Sequence, residues 1–139
     1  MATKSSEGRL LQKLKQKKAT VSVIGLGYVG LPLAHAFADR GFRVNGVDIN
    51  AKNVERVNRG ANYIPDIDSA SFRNVVKKGK LRAFTDPQIL EEADVVIVCV
   101  PTPLNRFKDP DISFIVNAAE GIKRHLHPGQ LLRLLLFLP

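Results

Sequence analysis

The chain has 139 residues, of which 45% are hydrophobic and 24% charged, a composition typical of one globular domain with its own core. No apolar run reaches the roughly 18 residues that a membrane helix needs, and we see no secretory signal. A single cysteine, Cys99, excludes an internal disulfide framework, so we expect the reducing cytoplasm as the compartment.

The net charge of +8 is concentrated at the start of the chain: residues 1–18 carry +5 and the remainder only +3. Leu10, Leu11 and Leu14 lie at helical spacing there, which predicts a short basic amphipathic helix that docks by one leucine edge. We interpret its basic face as solvated and expect neither nucleic acid nor a membrane as a partner. Contact with either polyanion is the alternative.

A β-branched strand predicted at 20–24 runs directly into Gly25-Leu26-Gly27-Tyr28-Val29-Gly30. In a Gly-x-Gly-x-x-Gly loop the first glycine permits the tight turn, the second lets the backbone approach a pyrophosphate, and the third lets the helix pack on the strand. We predict that this helix covers 28–40. The free N–H groups at its start would hold the phosphates of a dinucleotide.

A second strand, predicted at 43–47, ends at Asp48, which lies 23 residues beyond Gly25. An acid near this spacing hydrogen-bonds the ribose 2′-hydroxyl of NAD and would repel the 2′-phosphate of NADP. We therefore predict NAD as the cofactor, although Arg43 and Lys52 are near enough in sequence to leave NADP open. The alternative is a glycine-rich turn in some other α/β protein, with Asp48 as a helix N-cap.

The remaining elements continue the alternation of strands and helices, which predicts a mostly parallel sheet with helices on both faces. We therefore predict an α/β domain with a doubly wound, Rossmann-type sheet at 19–139, preceded by the short helix within 1–18. The other predicted helices are 51–59, 69–78, 87–92 and 112–124, and the other predicted strands are 81–84, 94–100 and an apolar run at 131–138.

The loop Pro101-Thr102-Pro103 follows the strand predicted at 94–100, and ligands of open α/β sheets bind beyond the carboxyl ends of strands. The two prolines stiffen the loop, and the Thr102 hydroxyl would face the ribose or nicotinamide side of the cofactor. Alternatively, that hydroxyl satisfies local backbone. Cys99 lies inside the predicted strand, so we expect a small buried side chain and not a nucleophile. The three histidines lack the spacing of metal ligands, and we predict no metal site.

Several separate motifs occur in order along the chain, at 23–34, 46–50, 58–60, 63–66, 93–96 and 100–103. Together they resemble the N-terminal NAD-binding domain of the UDP-glucose/GDP-mannose dehydrogenase family. The resemblance covers roughly residues 8–130. The sequence 31–34 and the loop 105–111 look more like the branch that oxidises UDP-N-acetylhexosamines.

The resemblance implies NAD-dependent, two-step oxidation of the C6 alcohol of a UDP-sugar to a uronic acid, through a thiohemiacetal and a thioester on a cysteine. It also implies that the catalytic residues and the sugar-binding domain lie beyond position 139. We therefore expect a chain that binds NAD without turnover. The residues that would contact the cofactor are Gly25, Gly27, Tyr28, Val29 and Gly30 at the pyrophosphate, Asp48 at the adenosine ribose, and Pro101, Thr102 and Pro103 near the reactive end.

The sequence departs from the family pattern at 131–139, where a leucine-rich run replaces a Glu-Ser-Thr motif. We interpret this as a truncation or a change of reading frame, and we expect the run to form a fifth strand whose exposed surface drives self-association into a homo-oligomer. Two other functions are considered. One is the N-terminal domain of a 3-hydroxyacid-type dehydrogenase, against which 63–66 and 100–103 argue. The other is a non-enzymatic nucleotide-binding module.

Overall fold

The computed structural model describes residues 5–135. The helices are α1 (Ser6–Lys15), α2 (Gly30–Asp39), α3 (Ala51–Asn58), α4 (Ser69–Lys77) and α5 (Ser113–Lys123), with a 3₁₀ helix at Pro87–Glu92. The strands are β1 (Thr20–Ile24), β2 (Arg43–Val47), β3 (Leu81–Phe84), β4 (Val95–Val98) and β5 (Leu131–Leu134).

The five strands are parallel and stand in the order β3-β2-β1-β4-β5. Successive side chains of a strand point to opposite faces, and each face of this sheet has its own apolar cluster. One cluster joins Val21 and Val23 to α2, α3 and α4, and the other joins Ile24 and Val98 to the 3₁₀ helix and α5. Helices thus cover both faces, which confirms the predicted doubly wound α/β class. The strand order reverses between β1 and β4, where such sheets bind ligands.

Two predicted boundaries change near that reversal. Helix α2 begins at Gly30 and not at residue 28, because 27–29 form a turn. Strand β4 ends at Val98 and not at residue 100, because its partner β1 ends at Ile24, which is opposite Val98 in register. Cys99 therefore follows the strand instead of lying inside it.

Helix α1 forms within the predicted 1–18 segment, but only part of its leucine edge docks. Leu10 and Leu14 pack on the core, whereas Leu11 is 53% exposed, which corrects the expectation for that residue. Residues four apart share a helix edge and adjacent residues do not. Lys13 Nζ lies 2.9 Å from Asp94 Oδ1, and Asp94 Oδ2 accepts the Thr20 N–H at 2.8 Å. The division into 1–18 and 19–139 stays a prediction.

Strand β5 forms as expected and pairs with β4. Leu131, Leu132 and Leu134 are 44–48% exposed, so this edge of the sheet is apolar on both faces. Self-association through it stays a prediction, and the rest of the leucine-rich run, 136–139, lies outside the described residues. Among residues 5–135 no helix combines the length and apolarity needed to span a membrane.

At the opposite edge of the sheet, one side chain binds the backbone of strand β3 at Ala83. Asn58 at the end of α3 donates from Nδ2 to the Ala83 carbonyl at 3.0 Å and accepts the Ala83 N–H on Oδ1 at 2.8 Å. The amide thus occupies backbone groups that another strand would otherwise pair with.

We expect Asn58→Ala to lower the free energy of unfolding by about 1–2 kcal/mol, because both backbone groups of Ala83 lose their partner. Urea denaturation measures this. The control is Asn74→Ala on α4, an exposed residue whose side chain makes no hydrogen bond to the described part of the chain. Equal urea midpoints for the two variants would contradict the assignment.

Candidate functional site

A cleft of about 870 Å³ opens at the carboxyl ends of β1, β2 and β4. Eight of the nine residues predicted to contact the cofactor line it, and Gly30 is the one that does not. The structure therefore brings together three segments that are distant in sequence. The eight residues are Gly25, Gly27, Tyr28, Val29, Asp48, Pro101, Thr102 and Pro103.

The three loop glycines have different surroundings. Gly25 has a φ of +94°, and a Cβ there would lie 2.5 Å from the Cys99 carbonyl oxygen. A Cβ on Gly30 would collide with the Gly25 carbonyl. At both positions, therefore, backbone atoms leave no room for a side chain. At Gly27 no heavy atom of the described residues lies within 4 Å of the corresponding position. Only Gly27 faces open space, on the side where a ligand can approach.

Next to this space, the turn before α2 and the first residue of the helix have backbone N–H groups without a partner among residues 5–135. Val29 at its N-cap position supplies no side-chain hydrogen bond, whereas Ser5, Asn50 and Asp68 cap α1, α3 and α4. Within residues 5–135, the N–H groups of 27–30 have no protein acceptor. Such a set of donors, at the positive end of the helix dipole, is suited to an anion.

Asp48 lies at the end of β2 and fastens the glycine loop to that strand. Its Oδ2 accepts the Leu26 N–H and its Oδ1 accepts the Asn50 N–H, both at 2.9 Å. Asn50, and not Asp48, caps α3, accepting the N–H groups of Lys52 and Asn53. The N-cap alternative for Asp48 is therefore wrong. Its carboxylate lies at the cleft wall, where it can accept a further hydrogen bond from a ligand hydroxyl.

The loop after β4 forms the other wall. It folds back on itself, because the Asp111 N–H donates to the Pro103 carbonyl at 2.7 Å and Leu104 bridges Pro110. Thr102 lines the cleft but is only 3% exposed, so either role considered for its hydroxyl stays a prediction.

Cys99 also lies in the cleft wall, contrary to its predicted place inside a strand. It is 8% exposed, and burial raises the pKa of its thiol to about 11. At neutral pH it is therefore a protonated thiol and a poor nucleophile. In the described part of the chain, no group of three His, Cys, Asp or Glu side chains is arranged to hold a metal ion.

Sequence reasoning missed one wall of the cleft altogether. Five residues of helix α5 line the cleft, at positions i, i+3, i+4, i+7 and i+8, a spacing that places them on one helix face. That spacing was visible in the sequence, but nothing local indicated whether the face met the core or a ligand. The five residues are Phe114, Asn117, Ala118, Gly121 and Ile122.

The sequence profile of the UDP-glucose/GDP-mannose dehydrogenase family, NAD binding domain, matches residues 19–134. The chain belongs to this family. It corresponds to the NAD-binding domain of the UDP-glucose/GDP-mannose dehydrogenases, and NAD is the cofactor of that domain.

Individual members of the family are also similar to this chain in sequence and in structure. A UDP-N-acetyl-D-mannosamine dehydrogenase of Yersinia pestis is 47% identical over 114 residues, which are 81% of this chain and 26% of the relative. The solved structure of a UDP-D-ManNAc dehydrogenase from Pyrococcus horikoshii superposes with a TM-score of 0.79 at 34% identity, covering 86% of this chain and 29% of that one. The chain therefore spans about a quarter of the length of the curated relatives it matches.

The 3-hydroxyacid alternative is a likeness of fold alone. An (S)-3-hydroxybutyryl-CoA dehydrogenase from Ralstonia eutropha superposes with a TM-score of 0.59 but shares 17% identity, covering 84% of this chain and 40% of that one. The family match at 19–134 places the chain with the UDP-glucose/GDP-mannose dehydrogenases instead.

Proposed function

We propose that this chain is the cofactor-binding part of an NAD-dependent nucleotide-sugar 6-dehydrogenase, which oxidises the C6 alcohol of a UDP-N-acetylhexosamine to the uronic acid. The observation that carries the proposal is the open space at Gly27 beside the unpaired N–H groups of 27–30, in a domain of this family. Bound NAD supplies the hydride acceptor for the oxidation.

Different segments of the chain bind different parts of NAD. The N–H groups of 27–30 donate to the pyrophosphate, and Gly25 and Gly30 allow the turn that presents them. Asp48 accepts a hydrogen bond from the adenosine ribose, with its carboxylate already oriented by Leu26 and Asn50. Pro101, Thr102 and Pro103 form the wall at the reactive end of the cofactor.

The substrate class is proposed from the relatives, since UDP-N-acetylmannosamine dehydrogenases of two organisms match this chain. The nucleophile of the oxidation is not Cys99, because that thiol is buried and protonated at neutral pH. We propose that the nucleophile and the sugar site belong to the part of the family's longer protein that this chain does not cover. We also propose a cytoplasmic location, where a free thiol such as Cys99 stays reduced.

We expect Asp48→Ala to weaken NAD binding by about ten- to a hundredfold, because it removes a charge-assisted hydrogen bond to the ribose. The same change removes the carboxylate that repels the 2′-phosphate of NADP. The ratio of the affinity for NAD to the affinity for NADP should therefore fall. Calorimetric titration of both dinucleotides measures the two effects.

The matched control is Asp66→Ala, an exposed aspartate of the turn before α4 that does not line the cleft. This control is expected to bind both dinucleotides as the unaltered chain does. Tighter binding of NADP than of NAD by the unaltered chain, or an Asp48→Ala variant with unchanged affinity for NAD, would overturn the role given to Asp48.

A further inference from the structure

Leu26, inside the glycine loop, is held by its side chain, its N–H group and its carbonyl. Its side chain is fully buried, and a Cβ on Gly46 of β2 would lie 2.8 Å from Leu26 Cδ2. Its N–H donates to Asp48 Oδ2 at 2.9 Å. Its carbonyl accepts a hydrogen bond from the Tyr63 hydroxyl at 2.6 Å. The third contact comes from a connection between helices, 37 residues farther along the chain.

The hydrogen bond from Tyr63 fixes more than the carbonyl it reaches. The Leu26 carbonyl and the Gly27 N–H belong to one peptide plane, and in a trans peptide they point in opposite directions. No peptide bond among the described residues is cis. A carbonyl held toward Tyr63 therefore keeps the Gly27 N–H directed away from Tyr63. That N–H has no protein acceptor within residues 5–135, and Gly27 lines the cleft.

Tyr63 is itself held in place. The Asn62 side chain braces the connection by donating to the carbonyls of Ile64 and Ile67, at 2.9 and 2.8 Å, and by accepting the Ile64 N–H. The Arg56 guanidinium carbon lies 5.9 Å from the centre of the Tyr63 ring. Burial, and secondarily the Asp48 carboxylate, raises the pKa of Tyr63 to about 12, so the hydroxyl keeps its proton and donates.

We propose that Tyr63 is a positioning residue for the dinucleotide, which acts through the Leu26 carbonyl to aim the Gly27 N–H at the pyrophosphate. The proposal rests on the proposed function, since it needs NAD in the cleft. It assigns a cofactor-related role to the 63–66 segment, which the sequence pattern identified without giving it one.

The test is Tyr63→Phe, which keeps the ring and removes the hydroxyl. We expect NAD and ADP, which carry a pyrophosphate, to bind about tenfold more weakly, as loss of one well-placed donor predicts. Adenosine, which has no phosphate, is expected to bind as before. NMR titration of the ¹⁵N-labelled chain measures all three affinities, and the Gly27 amide signal of the free variant should shift because its peptide plane is released.

The control for a merely structural effect is Asn58→Ala, which loses stability at the β3 edge and lies outside the cleft. It should leave the affinities for NAD, ADP and adenosine unchanged. Unaltered ADP affinity in Tyr63→Phe, or equal weakening of ADP and adenosine, overturns the positioning role while leaving NAD binding established. An unaltered chain that binds neither NAD nor ADP overturns the proposed function and this proposal together.

Discussion

We expect Gly27→Val to abolish measurable NAD binding while the chain stays folded. The backbone at Gly27 lies outside the left-handed region. No heavy atom of residues 5–135 lies within 4 Å of a Cβ built there, so the first carbon of the new side chain fits without a clash. The side chain projects into the space that the pyrophosphate needs. Displacing the phosphates from the N–H groups of 27–30 removes several charge-assisted hydrogen bonds together, and we expect a loss of about a hundredfold or more.

Calorimetric titration with NAD measures the loss, and thermal unfolding shows that the fold is retained. Gly27→Ala should give an intermediate affinity, because its methyl group fills less of the same space. Ala61→Val places the same valine side chain in an exposed loop outside the cleft and should bind NAD normally. Normal binding by Gly27→Val would show that the cofactor does not approach this loop closely.

Gly30→Ala, only three residues away, should have the opposite outcome and destabilise the fold. A Cβ at Gly30 meets the Gly25 carbonyl, which is backbone and cannot rotate aside. Gly25 cannot retreat, because its N–H donates to the Val47 carbonyl at 2.8 Å and its own Cα faces the Cys99 carbonyl. We expect the free energy of unfolding to fall by about 3 kcal/mol or more.

Urea denaturation checks this expectation. The matched control is Gly8→Ala in α1, where the nearest atom to the new methyl group is Ser5 Oγ at 3.4 Å. That change should leave stability equal or slightly higher, since alanine favours a helix more than glycine does. A Gly30→Ala variant with the same urea midpoint as the unaltered chain would contradict the packing described for the loop.

The strands were predictable because their signals are local. β1, β2 and β3 form at the predicted residues, since short runs of β-branched and apolar side chains between turn residues specify buried parallel strands. The end of β4 was not predictable from the sequence, because the length of a strand depends on its partner. β1 ends opposite Val98, and β4 ends there too. The start of α2 was placed two residues early, because sequence does not distinguish a helical first turn from the open turn at 27–29.

For the candidate site too, some residues could be predicted from the sequence and others could not. The glycine loop, Asp48 and the loop at 101–103 could be found from spacing, and the structure brings them to one cleft. The contact of Tyr63 with Leu26 could not be found from spacing. The two residues are far apart in the chain, and only folding brings them together. The cleft-facing side of α5 is a third case. The helical periodicity was visible in the sequence, but whether that face meets the cleft or the core depends on how the helix packs.

NAD titration of the ¹⁵N-labelled chain, followed by amide chemical shifts, tests whether the cleft at the carboxyl ends of β1, β2 and β4 is the cofactor site. We expect saturable changes at the amides of 27–30, with further changes at the amides of Asp48, Cys99, Val100 and Thr102. All of these changes should be absent in Gly27→Val. A folded chain whose signals do not respond to NAD, or respond only at the β3 edge, would contradict the assignment of this cleft as the cofactor site.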